Sequence, residues 1–350
     1  MRSILPIAAL ALSLAASAAC AQPAAGPYKL LQTAKVGGDG GWDYVYADSA
    51  ARRLYIARSG QGARVTVFDL DTLAPAGTIP GVSAHGAVVD PKSGHAFASS
   101  KPITMFDPKT LAPIKTIDVQ GNPDGMVGDP AAGRVYILSH ASPHVTAINA
   151  ADGTVAGTVD VGGAPEQSAS DGAGRLFVDV EDKDAVAVVD SKTLKLTGQY
   201  SLTGKCGTPA GLAMDVKNKI LFVACRNPAV MAMVNADTGQ VIQTLPIGAG
   251  VDGAVFNPAT MEAFASTGGD GALTVIKENS PTSFAVEQTV QTHPGARTLT
   301  LDAKTGRVLV IAADFGPPPE APPAPAGGPP ARPRRGPMIP DSFAIYVVGK

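Results

Sequence analysis

Seven positions in this 350-residue chain share one setting: Asp43, His85, Asp124, Glu166, Ala210, Asp252 and Arg297. Each lies five residues before an Asp or Asn that closes a short apolar run: Asp48, Asp90, Asp129, Asp171, Asp215, Asn257 and Asp302. Six of the seven are ionisable. Carboxylates converging with an imidazole can hold a hard cation, Ca²⁺ or Mg²⁺, and a bound cation can polarise a substrate carbonyl. If a metal binds, Asp124, Glu166 and His85 are the expected ligands. Arg58, His140, His144, Glu181, Asp182, Asp184 and Arg226 fall in neighbouring loops. Of these, Arg58, His140 and Arg226 join the ring residues as candidate ligand contacts. No catalytic residue is assigned, because no Ser-His-Asp order or nucleophile motif is present. C-x-x-C, C-x-x-C-H and H-E-x-x-H, the spacings for zinc or haem, are absent as well. A blander reading stays open: polar residues line any wet channel, and Arg297 can pair with Asp252 and Asp43.

These positions need a scaffold that brings them together, and the spacing supplies one. The closing Asp and Asn residues follow one another at 42, 39, 42, 44, 42 and 45 residues. A period near forty is the signature of a propeller blade or similar β array. Each repeat contains four apolar or alternating runs of four to six residues with turn residues between them. The second runs are LYIA, AFAS, VYIL, LFVD, LFVA, AFAS and VLVI. Third runs end in D-x-x-T at Asp69–Thr72, Asp107–Thr110 and Asp190–Thr193. An Asx side chain there bonds the backbone two residues on and fixes the hairpin. The Asp column itself is therefore read as turn chemistry, and the lone Trp42 as interblade packing.

Six complete units run from Asp43 to about Ala296. The seventh has strands at 297–302, 307–312 and 343–348 and lacks a fourth. The segment 28–38 has the fourth-strand pattern and completes it, which removes an open sheet edge. The expected fold is all-β: a seven-bladed β-propeller, one domain over 22–350, with the N-terminal strand closing the last blade. First strands of blades line the central channel, so the ionisable positions should ring one mouth.

The repeat resembles the YVTN-repeat propeller family, most closely at DPAAGRVYILSHASPHVTAINAADGTVAGTVDVGGAP (129–165). The resemblance covers about 28–312 and 343–350. The whole-chain layout, including KCGTPAGLAMDVKNKILFVACRN (205–227), is similar to periplasmic YncE-like proteins. It implies the propeller fold and the periplasm but no established reaction; single-stranded DNA binding is a role suggested for the family.

The start, MRSILPIAALALSLAASAACAQ, has a basic n-region, an apolar h-region and an A-x-A site, so 1–21 reads as a secretory signal cut after Ala21. The competing reading is a lipoprotein at Cys20, although Ser17 stands where a lipobox takes Leu. No other apolar run is long enough to span a bilayer. Cys206 and Cys225 remain, at the same end of one predicted hairpin, and a disulfide between them suits an oxidising compartment. Without Arg2 the chain carries 27 basic and 30 acidic residues. That near-neutral balance and 5% aromatic content offer little to a nucleic acid. The Pro-rich run at about 316–340 can be neither strand nor helix. It leaves blade seven on the face of the ionisable ring and carries Arg332, Arg334 and Arg335.

The expected function is thus a periplasmic or secreted, monomeric propeller. It binds a partner or small ligand at its loop-rich mouth, with no committed cofactor. The alternative is a divalent-metal-dependent, lactonase-like hydrolase or lyase at that mouth.

Overall fold

The computed structural model describes residues 26–318 and 335–350. The expected signal segment (1–21), with Cys20, and Arg332, Arg334 and most of the Pro-rich insertion lie outside the described residues. The described strands follow the short apolar runs read above; Arg53–Ser59, for example, is RLYIARS with five consecutive buried residues. Between strands, Asp and Asn side chains make the turns. Asp69 Oδ1 accepts from Thr72 N and Oγ1, both at 2.8 Å, and Asp190 Oδ1 does the same with Thr193 at 2.7 and 2.9 Å. The Asp column acts likewise: Asp48 Oδ1 accepts from Ala50 N and Ala51 N, and Asp90 Oδ2 from Ser93 N.

Seven four-stranded antiparallel sheets result. Each of the first six is a run of consecutive strands, from Gly41–Asp48 in blade one to Ser283–Gln291 in blade six. Blade seven is closed as expected. Its strands Leu299–Asp302, Arg307–Ala312 and Ala344–Gly349 are completed by Lys29–Lys35. The closing pair runs antiparallel from Lys29 opposite Gly349 to Lys35 opposite Ala344. Before it, Tyr28 is tied to blade six. Its N–H donates to Gln288 Oε1 at 2.9 Å, its C=O accepts from Gln288 Nε2 at 2.7 Å, and its hydroxyl donates to buried Glu262. Lys350 reaches the same Glu262, at 2.8 Å. The first strand of blade seven begins two residues later than the repeat predicts. The N–H groups of Gly295 and Ala296 are used in a loop, by Gly268 O and His293 O.

The core lies between blades. One cluster joins Leu54 and Ile56 of blade one to Ile311, Phe343 and Ile345 of blade seven; another joins Tyr136 and Leu138 of blade three to Leu176 and Val178 of blade four. Each fully buried side chain of this size contributes about 1.5–3 kcal/mol. Cys206 and Cys225 form a disulfide with Cα atoms 5.4 Å apart, inside the cluster between blades four and five. No helix among the described residues is long and apolar enough to cross a membrane.

Candidate functional site at the channel mouth

The first strand of every blade from one to six carries a register irregularity: Trp42/Val45, Ala84/Ala87, Pro123/Met126, Pro165/Ser168, Pro209/Gly211 and Val251/Ala254. The ring residues Asp43, His85, Asp124, Glu166, Ala210 and Asp252 sit inside these irregularities. A bulge bends the strand and re-aims a side chain, here at the point where six strands begin at one mouth.

The side chains form a chain of alternating acid and imidazole. His85 Nδ1 lies 3.0 Å from Asp43 Oδ2 and 3.1 Å from Asp124 Oδ1. His140 Nε2 lies 3.3 Å from Asp124 Oδ2 and 3.1 Å from Glu166 Oε2. Asp43–His85–Asp124 and Asp124–His140–Glu166 are each compact enough to hold a cation, with ligand atoms within 4.8 Å of one another. His85 and Glu166, expected in one set, therefore fall in two triads that share Asp124. On the other side of the ring, Arg297 bridges Asp252 at 3.0 Å and Asp43 at 3.4 Å. Arg226 binds Asp252 and Glu181 and donates to Val251 O at 3.0 Å.

The electrostatics follow from burial and crowding. Burial first, then the charges of Glu166 and Asp43, push Asp124 up to about 7. Burial pushes Asp252 up to about 6 against the pull of Arg297. The hydrogen bond to Glu166 raises His140 to about 9, and that to Asp43 raises His85. Around the ring, five carboxyl groups meet two guanidinium groups and two imidazoles. With His140 protonated and Asp124 partly protonated near neutral pH, these charges nearly balance.

Two supports could have been read from the sequence. The residue after each ring position is Gly in blades two, three, five and six. At Gly125 and Gly211 the backbone of the next blade comes close, a Cβ lying 2.8 Å from Glu166 O and from Gly253 C; at Gly86 and Gly253 it is the side chains of Tyr44 and Leu299. Blades one and four instead have Tyr44 and Gln167. The Tyr44 hydroxyl donates to Glu166 O at 2.8 Å. Gln167 Oε1 accepts from Leu212 N at 2.8 Å and Ala254 N at 3.0 Å. These side chains tie first strands together below the ring. Asp179, an acid in the apolar run LFVD, is the second signal. Fully buried, it accepts from Glu166 N at 3.2 Å and Gln167 N at 2.6 Å, and burial holds its carboxyl well above the usual range.

Other expected contacts lie elsewhere. Arg58 is 1% exposed and its hydrogen bonds go to backbone carbonyls, not to ring residues. It donates to Gly38 O at 2.8 Å and Asp39 O at 3.1 Å, and its guanidinium lies 3.8 Å from the centroid of Phe343. It is a clamp on the loop between the closing strand and blade one, because a buried guanidinium needs carbonyl partners. His144 pairs with Asp160 at 2.6 Å. Asp182 and Asp184 accept from Ala164 N and Thr208 N as turn caps. Trp42 packs between blades as expected, 4.9 Å from Phe343 and 5.9 Å from Phe315.

Comparisons define the class of fold. A chain of the mitotic checkpoint complex crystal structure superposes with a TM-score of 0.68 at 10% identity, over 89% of this chain and 96% of that one. A chain of Kuenenia stuttgartiensis hydrazine synthase gives a TM-score of 0.60 at 15% identity, over 67% of this chain and 83% of that one. At such identities the likeness establishes a propeller fold alone. No family model and no curated protein sequence matches the chain.

Proposed function

We propose that this protein is an exported propeller of the YVTN-repeat, YncE-like type that binds a small ligand or partner through a divalent cation at the channel mouth. The observation that carries the reading is the pair of His–carboxylate triads sharing Asp124. Mixed imidazole and carboxylate donors suit Zn²⁺ or Mn²⁺ better than Ca²⁺ or Mg²⁺, which favour oxygen. This amends the cation expected from the sequence. The cationic groups at the mouth are already paired with carboxylates, which disfavours a polyanion such as single-stranded DNA. The YVTN assignment is supported by the repeat at 129–165. Export is supported by the Cys206–Cys225 bridge, a bond that persists in oxidising compartments.

The test is calorimetric titration of chelator-treated protein with Mn²⁺, Zn²⁺, Ca²⁺ and Mg²⁺. Wild type should bind at least one stoichiometric ion, and Asp124→Asn with Glu166→Gln should lose it without change in circular dichroism. Equal binding by both proteins, or none by either, overturns the reading.

The metal-dependent hydrolase or lyase is a second reading, favoured by one observation. Each triad supplies three protein donors, which would leave coordination positions for water or substrate. Lactone turnover by metal-loaded protein, abolished by Asp124→Asn, would distinguish catalysis from binding.

A further inference from the structure

Beside the mouth lies a second, chemically different recess that the metal reading does not use. Gly40, Gly41, Trp42, Phe315, Met338, Arg297 and Arg335 line it, and its volume is about 340 Å³. The recess is built by two parts of the chain distant in sequence. The ends of the Pro-rich insertion form a short ribbon: Phe315 pairs with Met338, Gly316 N donates to Pro337 O at 2.8 Å, and Ile339 N donates to Asp314 O at 2.8 Å. The ribbon is anchored to blade seven through Asp314, which takes His293 Nε2 at 3.0 Å and whose N–H donates to Ser342 Oγ at 3.0 Å. The blade-one loop is held by Arg58 and by Gly40. At φ +93°, a Cβ on Gly40 would lie 2.3 Å from Ser59 O, so only glycine brings this loop so close.

The Trp42 and Phe315 rings stack on each other, 28° from parallel, and both line the recess. The Arg335 guanidinium lies 5.0 Å from the Phe315 centroid and has no carboxylate partner among the described residues. Arg297 carries the second positive charge of the lining, shared with Asp43 and Asp252. An apolar, aromatic lining that also carries two guanidinium groups matches a small organic anion. The ring of such a ligand replaces water on Trp42, Phe315 and Met338, and its carboxylate accepts from a planar, weakly hydrated guanidinium. The volume is of the size that holds a small organic ligand.

We propose that this recess binds a small aromatic carboxylate, with Arg335 as the principal anion contact, independently of any ion in the acidic triads. Trp42 is the only tryptophan in the chain, so its emission reports directly on occupancy. Full-length protein in chelator would be titrated with benzoate and 3-phenylpropionate, with benzamide and benzylammonium as controls. The two acids should change Trp42 emission saturably and the controls should not. Arg335→Gln, at an exposed position, should weaken the acids at least tenfold while melting as wild type does, and Phe315→Leu should weaken them too. No saturable change with either acid, or equal affinity in Arg335→Gln, refutes the assignment. So does acid binding that appears only after deletion of 319–334, because the recess would then belong to the insertion itself. Chelator removes any ion from the triads, so failure here is distinct from failure of the metal reading.

Discussion

Glu278→Gln should remove one component of the fall in stability with rising pH. Glu278 lies in blade six, 3% exposed, against the end of the first strand of blade five. Its Oε1 accepts from Asn218 Nδ2 at 2.7 Å. Its Oε2 and Asp215 Oδ2 are both buried without a hydrogen-bond donor in reach. Two such oxygens on neighbouring acids are satisfied when one proton lies between them. Burial, then the charge and hydrogen bond of Asp215, raise Glu278 from its ordinary 4.5 to about 7. Between those values the folded protein keeps a proton that the unfolded chain has released. Stability from this pair is therefore complete below about pH 4.5, declines as pH rises, and is gone above about 7. At roughly 1.4 kcal/mol per pH unit, the window amounts to about 3 kcal/mol. Glutamine preserves the volume, accepts from Asn218 and offers Asp215 a permanent N–H donor. Urea unfolding at pH 5 and pH 8 measures the difference. The variant should gain about 2–3 kcal/mol on wild type between the two pH values. The same difference between variant and wild type at both would refute the shared proton.

Deleting residues 22–38 removes the strand that closes blade seven and the Tyr28 contacts to blade six. The exposed edge of Ala344–Gly349 should lower the melting temperature and cause aggregation, read by scattering. An unchanged melting curve would contradict the role of closure. Non-reducing peptide mapping should recover Cys206 and Cys225 linked, and Cys206→Ser with Cys225→Ser should cost about 3 kcal/mol in chemical unfolding, the chain-entropy value for a loop of this length. Arg58→Ala leaves the carbonyls of Gly38–Gly40 without their buried donor. It should cost about 2–3 kcal/mol and alter the emission of Trp42, whose ring centroid is 5.8 Å from the guanidinium.

The period alone determined the fold. One Asp or Asn closes the first strand of every blade because each turn needs a side chain that caps its backbone N–H groups. That need repeats with the blade and is visible residue by residue. Closure by 28–38 was legible because only blade seven lacked its fourth strand, and the cysteine pair because a hairpin's ends are set by its turn. Ring membership followed from the same register. The sequence also held two signals that the period does not explain: Tyr44 and Gln167 in place of glycine, and Asp179 in an apolar run.

The tertiary structure decided what repeat alignment treats as equivalent. Arg58, His140 and Arg226 stand at comparable ends of second strands, Arg58 and Arg226 within the strand and not in the loops expected, yet Arg58 caps carbonyls and stacks on Phe343, while His140 and Arg226 bond ring residues. The division of His85, Asp124, His140 and Glu166 into two triads depends on distances across three blades. So does the aromatic recess, assembled from Trp42 and Phe315 at opposite ends of the chain. Such contacts arise only when the ring closes, because side-chain direction and interblade distance are set by packing between sheets that no single repeat contains.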